Sequence, residues 1–291
     1  MTNPIRYFYT KIFKNFKFLP SEILIPIQYE YTTGKKVDLK NPQTFNEKIQ
    51  WYKIYFRDPL FQKLADKYRV REYVDKKIGS QYLNQLHGVF NKPEEINFDS
   101  LPEKFVLKCV HGSGYNIIVK DKSTLDIHET LKIIRKWQSR DFYQKGKEWS
   151  YKNIPRKIVV EAFLEDDNVA IPDYKFFCFD GEIKFIQVDL ERKIHDYRCY
   201  FDVNWNKLSF NTEKSLFYEG EITKPKNLTE MISVVEKLSQ NIPFVRVDLY
   251  SVKGKTIFGE MTFYPANGTR EFVPTEMNLI IGSYFRLPNK Y

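Results

Sequence analysis

The spacing of hydrophobic and polar positions changes character after Glu103. Upstream, apolar residues recur at helical intervals. Residues 1–58 read as mainly helical, with Asn41-Pro42 as a break and Thr44 to Glu47 as a capping box. Leu60, Phe61, Leu64, Tyr68, Val70, Tyr73 and Val74 continue a helical stripe that Gly79 ends. Residues 91–103 are turn-rich and acidic and read as a linker. Beyond it, strands over 105–110 and 116–120 flank a glycine loop. A helix over 125–142 and a β-branched strand over 157–164 follow. Residues 174–179 and 182–189 form a hairpin, because Asp180-Gly181 supplies the positive φ angles of a two-residue turn. A helix over 228–239 precedes strands at Phe244 and Phe258. This order predicts the α+β class, not the alternation of a doubly wound sheet.

The last two strands carry the densest chemistry. Strand side chains alternate faces. Val245, Val247 and Leu249 therefore point one way, and Arg246 and Asp248 the other. In Phe258-Gly-Glu-Met-Thr262, Glu260 and Thr262 share a face. A three-residue loop with Gly254 in the left-handed conformation brings Arg246, Asp248, Glu260 and Thr262 together. A two-residue Lys253-Gly254 turn sends Glu260 to the opposite face. Two carboxylates beside an arginine suit Mg²⁺ and a phosphate in transit. They equally suit a surface hairpin with a salt bridge.

Four further groups of residues stand out. Lys108 precedes Gly112-Ser113-Gly114, either a loop whose amides approach phosphate oxygens or a plain hairpin turn; it lacks the Gly-Lys-Ser/Thr of a Walker loop. Val159 to Leu164 leads through Glu161, Phe163 and Leu164 to the acidic run Glu165-Asp166-Asp167, either an adenine-binding strand or a simple strand end. Lys175 lies in a very apolar strand and must face an anion or a carboxylate, with Asp173 and Asp189 the local candidates. Lys67 and Arg71 are spaced for one helix face, which by default is a solvated one.

With 291 residues and a mean hydropathy of −0.50, the chain reads as a soluble, cytoplasmic globular protein of two or three subdomains. The net charge of +9 is spread among acids, no nucleic-acid motif is present, and no nucleic-acid partner is expected. Residues 1–20 are the exception: Arg6, Lys11, Lys14 and Lys17 with no acid, and Phe8, Ile12, Phe13 and Phe16 at near-helical spacing. They fit a helix packed on the body or one lying peripherally on a membrane surface. Cys109, Cys178 and Cys199 sit in or beside apolar runs and read as buried free thiols. The four histidines show no metal-ligand spacing.

Taken in order, these pieces resemble the ATP-grasp superfamily. The matching elements are Asp66-Lys67, Lys108 with Gly112 to Gly114, Glu161 to Leu164, Arg246 with Asp248, and Glu260. More narrowly, residues 41–48, 105–116, 172–179 and 244–265 resemble the TupA-like ATP-grasp family of bacterial surface-polysaccharide loci. The resemblance implies two α/β lobes clasping ATP, here 59–164 and 165–291, behind a helical extension over 1–58. It also implies ATP and Mg²⁺ as cofactors, and carboxylate–amine ligation joining an amino acid or other amine to a uronic-acid sugar or glycan precursor. Asp248 and Glu260 become metal ligands. Lys67, Lys108, Gly112, Ser113, Gly114, Glu161, Phe163, Leu164 and Lys175 become nucleotide contacts, and Arg246 and Lys175 catalytic groups. One departure stands: many relatives have Asn as a second metal ligand where this chain has Thr262, with Asn267 a few residues on. The rival functions are an ATP-grasp kinase acting on a sugar hydroxyl and a non-catalytic glycan- or nucleic-acid-binding protein.

Overall fold

A computed structural model describes residues 4–166, 171–190, 197–213 and 215–290, with the backbone alone for 4–7 and 10. Residues 1–3 of the basic N-terminal run and Asp167 of the acidic run lie outside these. The helices are α1 (Pro4–Phe13), α2 (Ser21–Thr33), α3 (Phe45–Tyr55), α4 (Leu60–Ala65), α5 (Val70–Ile78), α6 (Ile127–Gln138), α7 (Tyr143–Gly146), α8 (Leu228–Ser239) and α9 (Met277–Tyr284). The strands are β1 (Leu86–Phe90), β2 (Phe105–Cys109), β3 (Asn116–Val119), β4 (Ile158–Ala162), β5 (Asp173–Phe179), β6 (Glu182–Leu190), β7 (Tyr197–Phe201), β8 (Lys207–Leu208), β9 (Asn211–Thr212), β10 (Leu216–Phe217), β11 (Phe244–Val252), β12 (Lys255–Thr262) and β13 (Phe272–Val273). The class is α+β, as the element order predicts. Among the described residues no helix is long and apolar enough to cross a membrane.

Strands β1-β4-β2-β3 form a small antiparallel sheet. A larger sheet runs β10-β7-β6-β5-β11-β12, with β8 on β7. One face of the large sheet is apolar: Val245, Val247 and Leu249 align with Phe176, Cys178 and Val188, and Met231, Val234 and Leu238 of α8 belong to the same core. The other face changes along its length. At one end Phe177, Phe179 and Phe244 surround Phe45 of α3, with ring centroids 5.2–6.4 Å away. At the other end the same face carries charge. A separate core under the small sheet contains Phe105, Leu107, Val160 and Ile134. The three cysteines are free and buried.

Local signals account for several boundaries. Thr44 accepts from the Glu47 amide, and the Glu47 carboxylate accepts from the Thr44 amide at 3.0 Å, so α3 starts with the predicted capping box. The stripe over 60–78 is not one helix. Asp66 leaves the helical conformation, and its carboxylate accepts from the amides of Tyr68 and Arg69 at 2.8 and 3.1 Å, restarting the chain as α5. The stretch 91–103 is not a bare linker either: Ile96, Phe98 and Leu101 are buried in the small core. The helix expected over 125–142 stops at Gln138. At the N-terminus, α1 lies against α2, with the Lys14 ammonium 3.4 Å over the Tyr31 ring. Phe8 and Phe18 remain 61% and 81% exposed.

The β11–β12 hairpin corrects the expected loop and preserves its consequence. Lys253 and Gly254, both at positive φ, form a two-residue turn that pairs Val252 with Lys255. That turn alone sets Leu249 opposite Phe258 and places Glu260 on the core face. A β-bulge after Asp248 inserts Gly259 as an unpaired residue, so Asp248 pairs with Glu260 and Arg246 with Thr262. The bulge needs glycine. A Cβ at position 259 would lie 2.9 Å from the Asp248 carbonyl oxygen and 3.1 Å from the Tyr250 ring. Gly259→Ala is therefore expected to destabilise the fold by about 1–3 kcal/mol in urea denaturation, the range for overpacking. Unchanged stability would mean the bulge relaxes freely and does not fix the register.

Candidate active site

A cavity of about 600 Å³ lies between the two sheets. Its walls hold Lys108 and Glu161 from the small sheet, Lys175, Arg246, Asp248 and Glu260 from the large one, and Lys67 and Arg71 from the α4–α5 region.

Asp248 and Glu260 face each other across β11 and β12, with Arg246 between them. The guanidinium grips Asp248 with both arms, Nε to Oδ1 and Nη2 to Oδ2, each at 2.7 Å. Nη2 also donates to Glu260 Oε1 at 3.2 Å and Thr262 Oγ1 at 3.1 Å. Burial, reinforced by the Glu260 charge and only partly offset by Arg246, holds the Asp248 carboxyl well above the ordinary carboxylate range. Burial also opposes ionisation of Glu260, but Lys67, Arg246, the Thr262 hydroxyl and Lys108 together bring it below its ordinary value. Glu260 is thus the more readily ionised of the pair, and the charge the two carry depends on the cations around them. Among the described residues no three His, Cys, Asp or Glu side chains gather as a metal cluster. Two same-face carboxylates fit Mg²⁺, which takes one or two and fills its other positions with water and phosphate oxygens.

Opposite this pair stand the cations. Lys108 meets Glu161 at 2.6 Å, and Arg71 reaches the other oxygen of Glu161 at 3.3 Å and the Asn84 carbonyl at 2.8 Å. Arg71 therefore lines the cavity and is not on a solvated helix face. The break at Asp66 lets Lys67 donate to the Gly112 carbonyl at 2.7 Å. Desolvation lowers the Lys67 pKa, and nearby Lys108 adds to that while Glu260 opposes it. The glycine loop is anchored at both ends. A Cβ on Gly112 would meet the Phe142 and Tyr115 rings at 2.8–2.9 Å, and Tyr115 stacks on Trp137. Ser113 and Gly114, the latter at φ +74°, form the exposed tip and line the cavity.

Lys175 lies opposite Asp248 in the β5–β11 register. Its ammonium pairs with Asp173 at 3.2 Å and with Asp189 at closer range. Asp189 also receives Arg198 at 2.7 Å and Gln187 at 2.7 Å. Phe163 and Leu164 follow β4 but do not line the cavity; the Phe163 ring lies 5.8 Å beneath the Lys120 ammonium. Thr262 donates to Glu260 at 2.9 Å, and the Asn267 side-chain oxygen accepts from Lys53 at 2.8 Å. Lys53 and Glu148, both near this end of the site, carry no sequence signal beyond the position of Lys53 on the buried side of α3.

The family model described as TupA-like ATPgrasp matches residues 47–286. No curated protein matches the chain. Among solved structures, D-alanine–D-alanine ligase from Bacillus anthracis is 19% identical with a TM-score of 0.42, covering 69% of this chain and 57% of that one. The same enzyme from Helicobacter pylori is 14% identical with a TM-score of 0.42, covering 77% and 61%. The L-amino acid ligase from Bacillus licheniformis is 13% identical with a TM-score of 0.42, covering 71% and 42%. The chain spans about half the length of the solved structures it matches. With the family model matched across most of its length, the chain belongs to the TupA-like ATP-grasp family and has the ATP-grasp fold.

Proposed function

We propose that the protein is an ATP-dependent carboxylate–amine ligase, joining an amino acid to a uronic-acid sugar of a surface polysaccharide or its precursor. The observation that carries this reading is the meeting of Arg246, Asp248 and Glu260 on one face, opposite Lys67, Lys108 and Arg71 across one cavity. In this reading the nucleotide lies between the regions 59–164 and 165–291. Asp248 and Glu260 hold Mg²⁺, which supplies charge neutralisation for the β- and γ-phosphates. Lys67, Lys108 and Lys175, with Gly112 to Gly114, face the phosphate chain, and Glu161 holds Lys108 and Arg71 in place. The substrate carboxylate attacks the γ-phosphate, giving an acyl phosphate and ADP. The amine then displaces phosphate. Arg246 stabilises the oxyanion of that step, a role that typically contributes ~10²–10³ in rate. Catalysis by positioning and charge needs no nucleophilic side chain.

Calorimetry of ATP with and without Mg²⁺ tests the site. Glu260→Gln is expected to lose Mg²⁺-dependent ATP binding while keeping its fold by circular dichroism. Asp248→Asn is expected to lose binding and also about 3 kcal/mol of stability, because it removes the bidentate partner of Arg246 and leaves only the longer Glu260 contact as its counter-charge. Wild-type affinity in Glu260→Gln would remove Glu260 from the metal site. Hexuronic acids with amino acids should then release ADP and form amide; a stable sugar phosphate without amine would be the kinase signature.

The exposed Phe8, Tyr9, Phe13 and Phe18 beside Lys11, Lys14 and Lys17 support peripheral contact with the inner face of a membrane. Co-sedimentation with phosphatidylglycerol vesicles is expected to fall several-fold in a Phe8→Ser/Phe18→Ser variant and in high salt. No sedimentation of wild type would exclude that contact.

A further inference from the structure

A second cavity, of about 540 Å³, adjoins the first. The two share Ser113, Arg246, Glu260 and Ala266 as wall residues. Beyond these, the second is lined by Glu148, Tyr151, Tyr264 and Asn267, and by Lys14, Gln28 and Tyr31 of the N-terminal region. The side-chain oxygen of Gln28 is buried behind this lining with no hydrogen-bond partner among the described residues.

Glu148 follows α7. Its carboxylate takes no hydrogen bond from the described residues. Lys53, 3% exposed, acts on it through space while donating to Asn267 Oδ1 at 2.8 Å and to the Gly146 carbonyl at 3.4 Å. Gly146 keeps this corner open: a Cβ there would lie 2.8 Å from Asn267 Oδ1 and 3.3 Å from Glu148 Oε1. Tyr151 lines the second cavity. Its phenol is held well above its ordinary pKa by burial, then by the charges of Glu148, Glu260 and Asp248. Glu148 and the carboxylate pair are therefore within electrostatic reach of one side chain.

We propose that the second cavity binds the amine substrate as an ammonium ion, with Glu148 as its counter-ion and as acceptor of the proton it loses before attack. The proposal rests on the ligase reading. The ammonium gives one proton to the Glu148 carboxylate. The freed nitrogen lone pair forms the C–N bond at the acyl-phosphate carbon, and the C–O bond to phosphate breaks. The second nitrogen proton leaves with the phosphate, and Glu148 returns its own to water. Burial pushes the Glu148 carboxyl up to about 7 and Lys53 down to about 8, which suits a group that exchanges a proton near neutrality. The other charged or titratable groups around it are Lys145 on α7, Tyr151, Tyr264, Lys14, Tyr31, Arg246 and Glu260.

The test compares two nucleophiles on the acyl phosphate formed from D-glucuronate or D-galacturonate. Hydroxylamine is uncharged at neutral pH and needs no base; a mixture of the common amino acids does. Glu148→Gln is expected to lower amide formation on the order of 10²-fold more than hydroxamate formation. In wild type, kcat/KM for the amine should rise with pH through about 7, since Glu148 must be ionised to accept a proton. In the variant that limb should vanish, and the rate should climb only as the free amine does. Equal loss of both products would overturn the proposal, because Glu148 would then serve the first step or the fold. Intact amide formation would overturn it outright. No hydroxamate from wild type with either acid would instead refute the ligase reading on which it rests.

Discussion

The arrangement of this molecule depends on one constraint: the charges on the inner face of the large sheet are out of water and must be paired. Asp173, Lys175, Asp189, Arg198, Arg246 and Asp248 lie along β5, β6, β7 and β11, each largely buried. Opposite signs meet along it: Lys175 with Asp173 and Asp189, Arg198 with Asp189, Arg246 with Asp248. Across the cavity Glu161 balances Lys108 and Arg71. Buried ion pairs of this kind contribute little net stability over well-packed apolar residues, while breaking one is costly. A sheet built only for stability would extend the Phe45, Phe177, Phe179 and Phe244 cluster along the whole face. The aromatics stop and the charges begin where the sheet borders the cavity.

The second constraint is parity. On a strand, one residue more or less exchanges the core and the cavity. The turn at Lys253-Gly254 taken alone gives the wrong parity for Glu260, and the bulge at Gly259 restores it. Bulges re-aim side chains beside active sites. Here the effect is to bring a second carboxylate under Arg246 while Phe258 and Met261 still face the core.

The sequence is legible where a structural decision is local. The Thr44–Glu47 box, the Asp180-Gly181 turn and the extent of α8 each follow from a few adjacent residues. The face shared by Arg246 and Asp248 follows from alternation alone. Which residue is the odd one in the β11–β12 hairpin does not, because Gly254 and Gly259 both accept unusual backbone and only cross-strand pairing chooses. The break at Asp66 was hidden because apolar positions continue in phase across it; the capping carboxylate wins over the stripe. Strands β1 and β7 and the packing of Ile96, Phe98 and Leu101 depend on neighbours distant in the chain. The same holds for Arg71, whose spacing from Lys67 says nothing of Glu161, ninety residues away.

The glycine loop ties these features to the order of events. Its base is held by Lys67 on the Gly112 carbonyl and by Tyr115 stacked on Trp137, and Ser113 and Gly114 form its exposed tip. Ser113 is a wall of both cavities. The position of the tip therefore shapes both cavities at once. A charged group entering the first cavity changes the field felt by Lys67, whose pKa is already lowered by desolvation and by Lys108. Under the proposed ligase reading, nucleotide phosphates and the second reactant share the Ser113 wall, so the placement of one constrains the placement of the other.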